Sequence, residues 1–167
     1  MNYLLRPWRE SDLESLVSNA NNPKIAQFMT NRFPYPYSKE HGANWLKMAT
    51  TQSPVLFQAI TLNDEAIGGI GIHPQQDIMC KNAELGYWLG EKYWGKGIMT
   101  KVIPEIIKYG FNTLDINRIY ARPFGNNPAS QKVLEKCGFQ LEARFEKTIF
   151  KNGEYQDELF YSIRRKI

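Results

Sequence analysis

The stretch Tyr93-Trp94-Gly95-Lys96-Gly97-Ile98-Met99-Thr100 constrains the fold of this chain more than any other. It stands between a strand-like run, residues 83–89, and a helix-like run, residues 99–111. A Gly-Lys-Gly turn at that junction presents successive backbone N–H groups at a helix N-terminus, where the helix dipole favours negative charge. Glycine has no Cβ, so the main chain can come close to a phosphate. The arrangement points to an anion, above all the pyrophosphate of a nucleotide-derived cofactor. The competing account is a glycine turn that only joins a strand to a helix, and the stretch alone does not separate the two.

Two common nucleotide motifs fail on named residues. Gly90 and Gly95-Lys96 approach a Walker A loop, but Gly97 follows the lysine where a hydroxyl would hold magnesium. A dinucleotide fingerprint needs a glycine at position 100, where Thr100 stands.

A second segment adds weight. Asn126-Asn127-Pro128-Ala129-Ser130-Gln131-Lys132-Val133-Leu134-Glu135-Lys136-Cys137-Gly138-Phe139 reads as a capped helix that stops at Gly138 and turns into a strand. With Trp-Gly-Lys-Gly-Ile-Met-Thr roughly thirty residues earlier, as a βαβ-type unit allows, the chain resembles the GNAT superfamily of acetyl-CoA-dependent N-acetyltransferases. Within it, the resemblance is to the branch named for ribosomal-protein N-terminal acetyltransferases. Leu5-Arg6-Pro7-Trp8 followed by Asp12, the run Ala83-Glu84-Leu85-Gly86-Tyr87-Trp88-Leu89, and the ending Lys136-Cys137-Gly138-Phe139 support it. The resemblance extends from Leu5 to Ile163.

It implies a mixed α/β fold: a central, mostly antiparallel, twisted sheet of about seven strands flanked by helices and splayed where acetyl-CoA binds. The whole chain, residues 1–167, is then one acetyltransferase domain. The implied cofactor contacts are the backbone N–H groups of Gly95, Lys96, Gly97, Ile98, Met99 and Thr100 on the coenzyme A pyrophosphate. Trp94 opens the loop pattern. Met99 closes it and is bulkier than the usual small residue, which a main-chain contact tolerates if the side chain points away. The preceding strand, ending in Trp88 and Leu89, would pair with the pantetheine arm as an added strand does. An N–H near Leu89 would face the thioester carbonyl, a donor worth ~3 kcal/mol in comparable sites. Asn127 would bond the cofactor beyond the pantetheine.

The reaction needs a neutral amine, and α-amines and lysines carry protons at neutral pH, so a proton acceptor is useful. Glu84 is the candidate. It lies on the strand leading into the loop, among apolar neighbours able to raise its pKa, and shares a face with Gly86 and Trp88. The bland account, a glutamate at a solvent-facing sheet position, weighs equally. Many members of the superfamily supply a tyrosine to the leaving thiolate, but the helix after the fifth strand here has none. Ser130 matches the serine of the resembled branch and is the candidate thiolate partner; its competing role is to satisfy backbone N–H groups in the helix's first turn or to contact the cofactor.

Composition bounds the reading. A chain of 167 residues with 43% hydrophobic and 23% charged residues suits one globular domain. The net charge of +4 is spread out, apart from Arg164-Arg165-Lys166, read as a solvated end. No basic patch indicates nucleic acid, and no run is long enough to span a membrane. Two cysteines, Cys80 and Cys137, indicate neither a disulfide scaffold nor a metal site, so the expected compartment is the reducing cytoplasm. The acceptor is expected to be a small-molecule amine or a protein N-terminus. A homodimer is compatible with the sequence, which carries no signal either way.

Along the chain, Ser11 is expected to cap a helix with Glu14 three residues on. Asn22-Pro23 restarts a helix through Phe28, and Ser38 opens another through Ala49. Asn63-Asp64 and Asn152-Gly153 mark hairpin turns. Pro104 falls inside the helix after the glycine loop and predicts a bend near Thr100. The aromatic run Asn31–Tyr37 reads as a substrate cover or, with slight preference, a rigid connector. Tyr155, Asp157 and Glu158 read as contacts for a cationic amine or as edge-strand charges. His41 and His73 have no partner spacing and read as packing or surface residues. Two other functional classes stay open: an acyl-CoA-binding protein without catalysis, and a nucleotide-binding module using the Gly90/Gly95-Lys96 loop.

Overall fold

The computed structural model describes residues 3–165. The elements are β1 (Tyr3–Pro7), α1 (Leu13–Ala20), α2 (Pro23–Ala26), α3 (Lys39–Ala49), β2 (Phe57–Leu62), β3 (Glu65–Pro74) and β4 (Asn82–Leu89). They continue with α4 (Ile98–Thr113), β5 (Arg118–Ala121), α5 (Pro128–Lys136), β6 (Gln140–Lys151) and β7 (Glu154–Arg164). Seven strands form one open sheet in the order β1-β2-β3-β4-β5-β7-β6. The β1–β2, β2–β3, β5–β7 and β6–β7 pairs are antiparallel. The β4–β5 pair is parallel, as a helical crossover through α4 permits. It joins Asn82 to Arg118, Ala83 to Ile119 and Glu84 to Tyr120, while β4 itself runs on to Leu89. The parallel pairing therefore spans only the first three residues of β4.

The chain gathers into two compact units. The first comprises residues up to Gly71 with Tyr87–Ile98; the second comprises Ile72–Gly86 and everything from Met99. In the first, Trp8, Leu16, Ala20, Tyr37, Leu46, Phe57 and Ala59 form the core. A Cβ at Gly42 of α3 would lie 2.8 Å from the Leu13 side chain and 3.0 Å from that of Val17, so α3 packs closely on α1 there. In the second, Ile103, Ile106, Ile119 and Leu134 are fully buried.

Both expected hairpin turns form. Asn63 and Asp64 have φ of 51° and 67°, the left-handed pair that suits the twist of the flanking strands. Asn152 and Gly153, at 52° and 82°, do the same for β6 and β7. Ser38 caps α3, its hydroxyl accepting the His41 N–H at 3.2 Å, and the Ser38 N–H returns a bond to His41 Nδ1 at 3.1 Å. His41 is thus a capping residue.

Two local expectations are corrected. Ser11 does not cap α1. Residues Glu10–Asp12 form a 3₁₀ turn, because the Asp12 carboxylate is taken by the Arg9 N–H (2.8 Å) and the Arg6 guanidinium (2.7 and 2.8 Å). The helix from Asn22-Pro23 lasts four residues. α4 runs unbroken through Pro104. Pro104 has no N–H for the Thr100 carbonyl, and the Cys137 thiol lies 4.0 Å from that oxygen. The basic end is exposed at Arg164 and Arg165, as expected, and the Arg165 guanidinium also donates to the carbonyls of Phe111, Leu114 and Ile116. Lys166 lies outside the described residues.

Candidate active site

The glycine loop belongs to the first unit. After β4 the chain makes a 3₁₀ turn, Glu91–Tyr93, anchored by an ion pair between Glu91 and Lys24 and by the Asn22 amide on Glu91 at 2.7 Å. The Trp94 indole N–H donates to the Leu89 carbonyl at 2.7 Å and folds the loop back against the end of β4. Gly95 and Gly97 then both have φ of +71°, a conformation that costs any L side chain roughly 1–2 kcal/mol. A Cβ built on Gly95 would meet nothing within 4 Å. The glycine there answers to backbone geometry and leaves open space in front of the main chain. Lys92 and Lys96 hold their ammonium groups 5.0 and 5.6 Å from the Tyr93 ring centroid, so the loop is also cationic. Ile98, which opens α4, is buried, and Met99 after it is only 9% exposed. Trp88 packs edge-on against Phe33 at 5.8 Å, and Phe33 lies 5.2 Å from Tyr37. The aromatic run is therefore a packed connector at Phe33 and Tyr37, while Tyr35 is exposed.

Glu84 belongs to the second unit and is not in apolar surroundings. The Arg122 guanidinium forks onto it, Nε at 2.9 Å and Nη2 at 3.1 Å, and places Nη1 3.1 Å from Glu158. Arg122 was not visible from the sequence. It is two residues beyond Tyr120, the register partner of Glu84, and so falls on the same face. A parallel register would have exposed it, but that register depends on how α4 crosses. Around this trio, Tyr120 stacks on Phe160 at 5.8 Å and Arg118 lies 4.9 Å above the Tyr120 ring. Burial raises the Tyr120 hydroxyl's pKa, helped by the Glu84 charge. The His73 imidazole comes within 3.4 Å of a Cβ built on Gly86; desolvation lowers its pKa and the Glu84 charge opposes that.

The second unit also holds Asn127 and Ser130. The Asn127 side-chain oxygen accepts the Ser130 N–H at 3.2 Å, and Pro128 fills the first helical position of α5. Ser130 is thus a residue whose N–H is capped by Asn127. Gln131 ties the preceding turn down through the Phe124 and Gly125 carbonyls, both at 3.1 Å. The late hairpin's acids are engaged within the chain. Asp157 accepts Arg144 and the Lys147 N–H, and Glu158 holds Arg122. Tyr155 is exposed and lies 5.0 Å from the Phe150 ring.

The proposed site residues thus fall into two groups, each inside one unit: Trp88, Leu89, Trp94 and Gly95 to Ile98 in the first, Glu84, Met99, Thr100, Asn127 and Ser130 in the second. Among the described residues, no group of three or more His, Cys, Asp or Glu could hold a metal ion. No helix among them is long and apolar enough to cross a membrane.

Comparison with known proteins gives a consistent picture. The family model for the acetyltransferase (GNAT) domain matches residues 2–140. The uncharacterised N-acetyltransferase YoaA of Bacillus subtilis is 27% identical over 175 residues, covering 96% of this chain and 92% of its own. The ribosomal-protein-serine acetyltransferase of Escherichia coli is 31% identical over 99 residues, 59% of this chain and 55% of its own. The solved structure of RimL, a ribosomal L7/L12 alpha-N-protein acetyltransferase in complex with coenzyme A, superposes with a TM-score of 0.85 at 23% identity. That match covers 98% of this chain and 94% of RimL, and at such identity it speaks for the fold. With its seven-stranded, mostly antiparallel sheet, its strand–glycine loop–helix unit and a family match over most of its length, this chain belongs to the GNAT acetyltransferase family.

Proposed function

We propose that the chain, acting as one domain, transfers an acetyl group from acetyl-CoA to a primary amine by direct attack in a ternary complex. The observation that carries this is the loop between β4 and α4, with two left-handed glycines flanking Lys96 and open space at Gly95. Such a loop suits a pyrophosphate: the main chain from Gly95 to Thr100 offers N–H donors, the first turn of α4 adds its dipole, and Lys96 adds charge. Acetyl-CoA, when bound, supplies the activated acetyl group. Trp88 and Leu89 close the strand on which the pantetheine arm would align. An N–H near Leu89 would stabilise the oxygen on which charge develops, worth ~3 kcal/mol in comparable sites.

Glu84 is read as the proton acceptor for the amine, a role worth roughly 10²–10⁴ in rate. Ser130 is read as the hydrogen-bond partner of the departing thiolate. A serine hydroxyl is a weak acid, so Ser130→Ala should slow turnover without abolishing it. The acceptor is a protein N-terminal α-amine or a small amine, and a screen by thiol release decides between them. The unpaired state of Cys80 and Cys137 supports a reducing, cytoplasmic setting.

Calorimetric titration with acetyl-CoA, with magnesium-ATP in parallel, tests the reading. The expected result is acetyl-CoA binding that Gly97→Val weakens, with ATP not binding. Preference for ATP, or no acetyl-CoA binding, would sink it. Binding without thiol release to any amine would leave an acyl-CoA-binding protein instead.

A further inference from the structure

We propose that Arg122 is the positioning residue of this site, a latch that rests on Glu84 and must pass to Glu158 before Glu84 takes the acceptor's proton. The inference rests on the proton-acceptor role proposed above. Three of the five guanidinium N–H groups are committed in the resting arrangement, two bonds to Glu84 and one to Glu158. A carboxylate forked in this way has one lone pair of each oxygen taken and its charge matched by the guanidinium, which leaves it a poorer acceptor for an ammonium proton. Arginine stays protonated at any working pH, so the latch cannot release by titrating. It has to move. The second carboxylate makes that affordable, since Glu158 already holds Nη1 and can take the rest of the cation without leaving a half-buried charge unpaired. Phe160, 5.9 Å beneath the guanidinium and stacked on Tyr120, gives the planar group a surface to slide along. The side chains of Glu84, Glu158 and Arg122 are 26, 20 and 39% exposed, wet enough for partners to exchange.

The trigger is the acceptor itself. An ammonium approaching Glu84 repels the guanidinium and competes for the same oxygens. Once Arg122 has moved to Glu158, an N–H bond of the ammonium breaks, an O–H bond forms on Glu84, and the amine keeps the electron pair it needs. Protonated Glu84 no longer attracts Arg122, so the latch stays open until the proton leaves to solvent. The titratable and charged groups facing Glu84 are Arg122, Arg118 and Tyr120 from β5 and its end, His73 from β3, and Glu158 from β7.

The test follows thiol release from acetyl-CoA between about pH 5 and 9, the window in which carboxylate and imidazole acceptors titrate. A serine-initiated peptide amide and tyramine serve as acceptors. Glu158→Gln should lower kcat/KM about tenfold, because Arg122 then has only Glu84 to hold. Arg122→Gln takes the guanidinium off both carboxylates and should lower kcat/KM less than Glu158→Gln does. The double variant should recover to within about threefold of wild type, as removing the latch cures the loss of its second post. A merely structural ion pair gives the opposite, a double variant as poor as Glu158→Gln across the acidic limb of the profile, and that result overturns the proposal. Arg122→Lys should keep part of the function, having one ammonium but no fork. His73→Gln must leave the limb in place, because a limb that vanishes with His73 belongs to the imidazole and also overturns the latch. Melting temperature and acetyl-CoA calorimetry on each variant separate misfolding from lost gating. Glu84→Gln with unchanged rate and limb would instead sink the proton-acceptor reading, whatever Arg122 does.

Discussion

Replacing Asp12 by alanine should destabilise the first unit far more than its position in a short connecting turn suggests. The Arg6 guanidinium meets Asp12 through two bonds, 2.8 Å from Nη1 and 2.7 Å from Nη2, and the two side chains are only 12% and 6% exposed. Asp12 also accepts the Arg9 N–H at 2.8 Å. Removing one member of a buried pair typically costs about 3–5 kcal/mol, because the other charge stays behind. Arg6 keeps partners in the Asp64 side chain (3.1 Å), the Asp64 carbonyl (2.8 Å) and the Pro7 carbonyl (3.0 Å), which argues for the lower end. About 3 kcal/mol in a chain of this length lowers Tm by roughly 6–12 °C. Loss of a helix cap does not confuse the result, since the Asp12 side chain makes no cap bond to α1. Urea unfolding and calorimetry on Asp12→Ala, Arg6→Met and the double variant measure the coupling. Asp64→Asn, which removes an exposed carboxylate but keeps a side chain suited to the left-handed φ of that turn, should leave the midpoint nearly unmoved. An Asp12→Ala loss below about 1 kcal/mol, the range of a surface pair, would refute the argument. So would a double variant that merely adds the two single losses.

Three further outcomes follow from the same geometry. Gly95→Ala should cost about 1 kcal/mol from backbone strain alone, with Gly95→Asn milder because asparagine visits left-handed φ; equal Tm values for Ala and Asn would deny that φ is the cause. Pro104→Ala should raise Tm, since the exposed helical position regains a donor for the Thr100 carbonyl and loses the ring's clash. A fall in Tm would mean that Pro104 or the Cys137 thiol serves that turn better than a regular bond. Glu142 is held by Arg118, with Ser162 and Arg164 adding to it, and its pKa is lowered from 4.5 to about 2. A depressed carboxylate stabilises the fold above its unfolded pKa and loses that contribution as pH falls from about 4.5 towards 2. Glu142→Gln should therefore flatten the stability curve in that acid window, and an unchanged acid slope by chemical denaturation would count against it.

What was legible in the sequence divides by range. Asn63-Asp64 and Asn152-Gly153 were readable as turns because left-handed backbone is a local demand with few residues to meet it. Ser38 was readable as a cap, and the glycine loop as the gap between a period-two run and a helical run, for the same reason. Ser11 misled because its neighbour Asp12 is claimed by Arg6 on β1 and by the Arg9 N–H, and the first of those partners comes from another element. The surroundings of Glu84 misled in the same way. Alternation put the right face forward, but its flanking letters Ala83 and Leu85 point to the other side, and Arg122 arrives from a strand joined through a sixteen-residue helix. Side-chain identity was visible throughout. Side-chain company was visible only where a few consecutive residues determine it.

Asn127 shows how a residue can be legible in type and still need the structure to assign its atoms. Its carboxamide has one acceptor oxygen and one NH₂ donor group. The oxygen is committed to the Ser130 N–H at 3.2 Å, and only an oxygen can serve there because the partner is itself a donor. Any bond from Asn127 to a cofactor oxygen must then come from the NH₂. Cap and ligand contact are separable on that basis. Asn127→Asp keeps an excellent cap, so the melting temperature should hold, but it exchanges the donor for a second, charged acceptor. Acetyl-CoA affinity measured by calorimetry should drop at least tenfold, the equivalent of about 1.4 kcal/mol for one lost donor. Asn127→Ala should lose both, with Tm falling by the ~1 kcal/mol typical of a missing cap. If Asn127→Asp binds acetyl-CoA as tightly as wild type, the NH₂ has no ligand to hold, and the residue belongs to α5 alone.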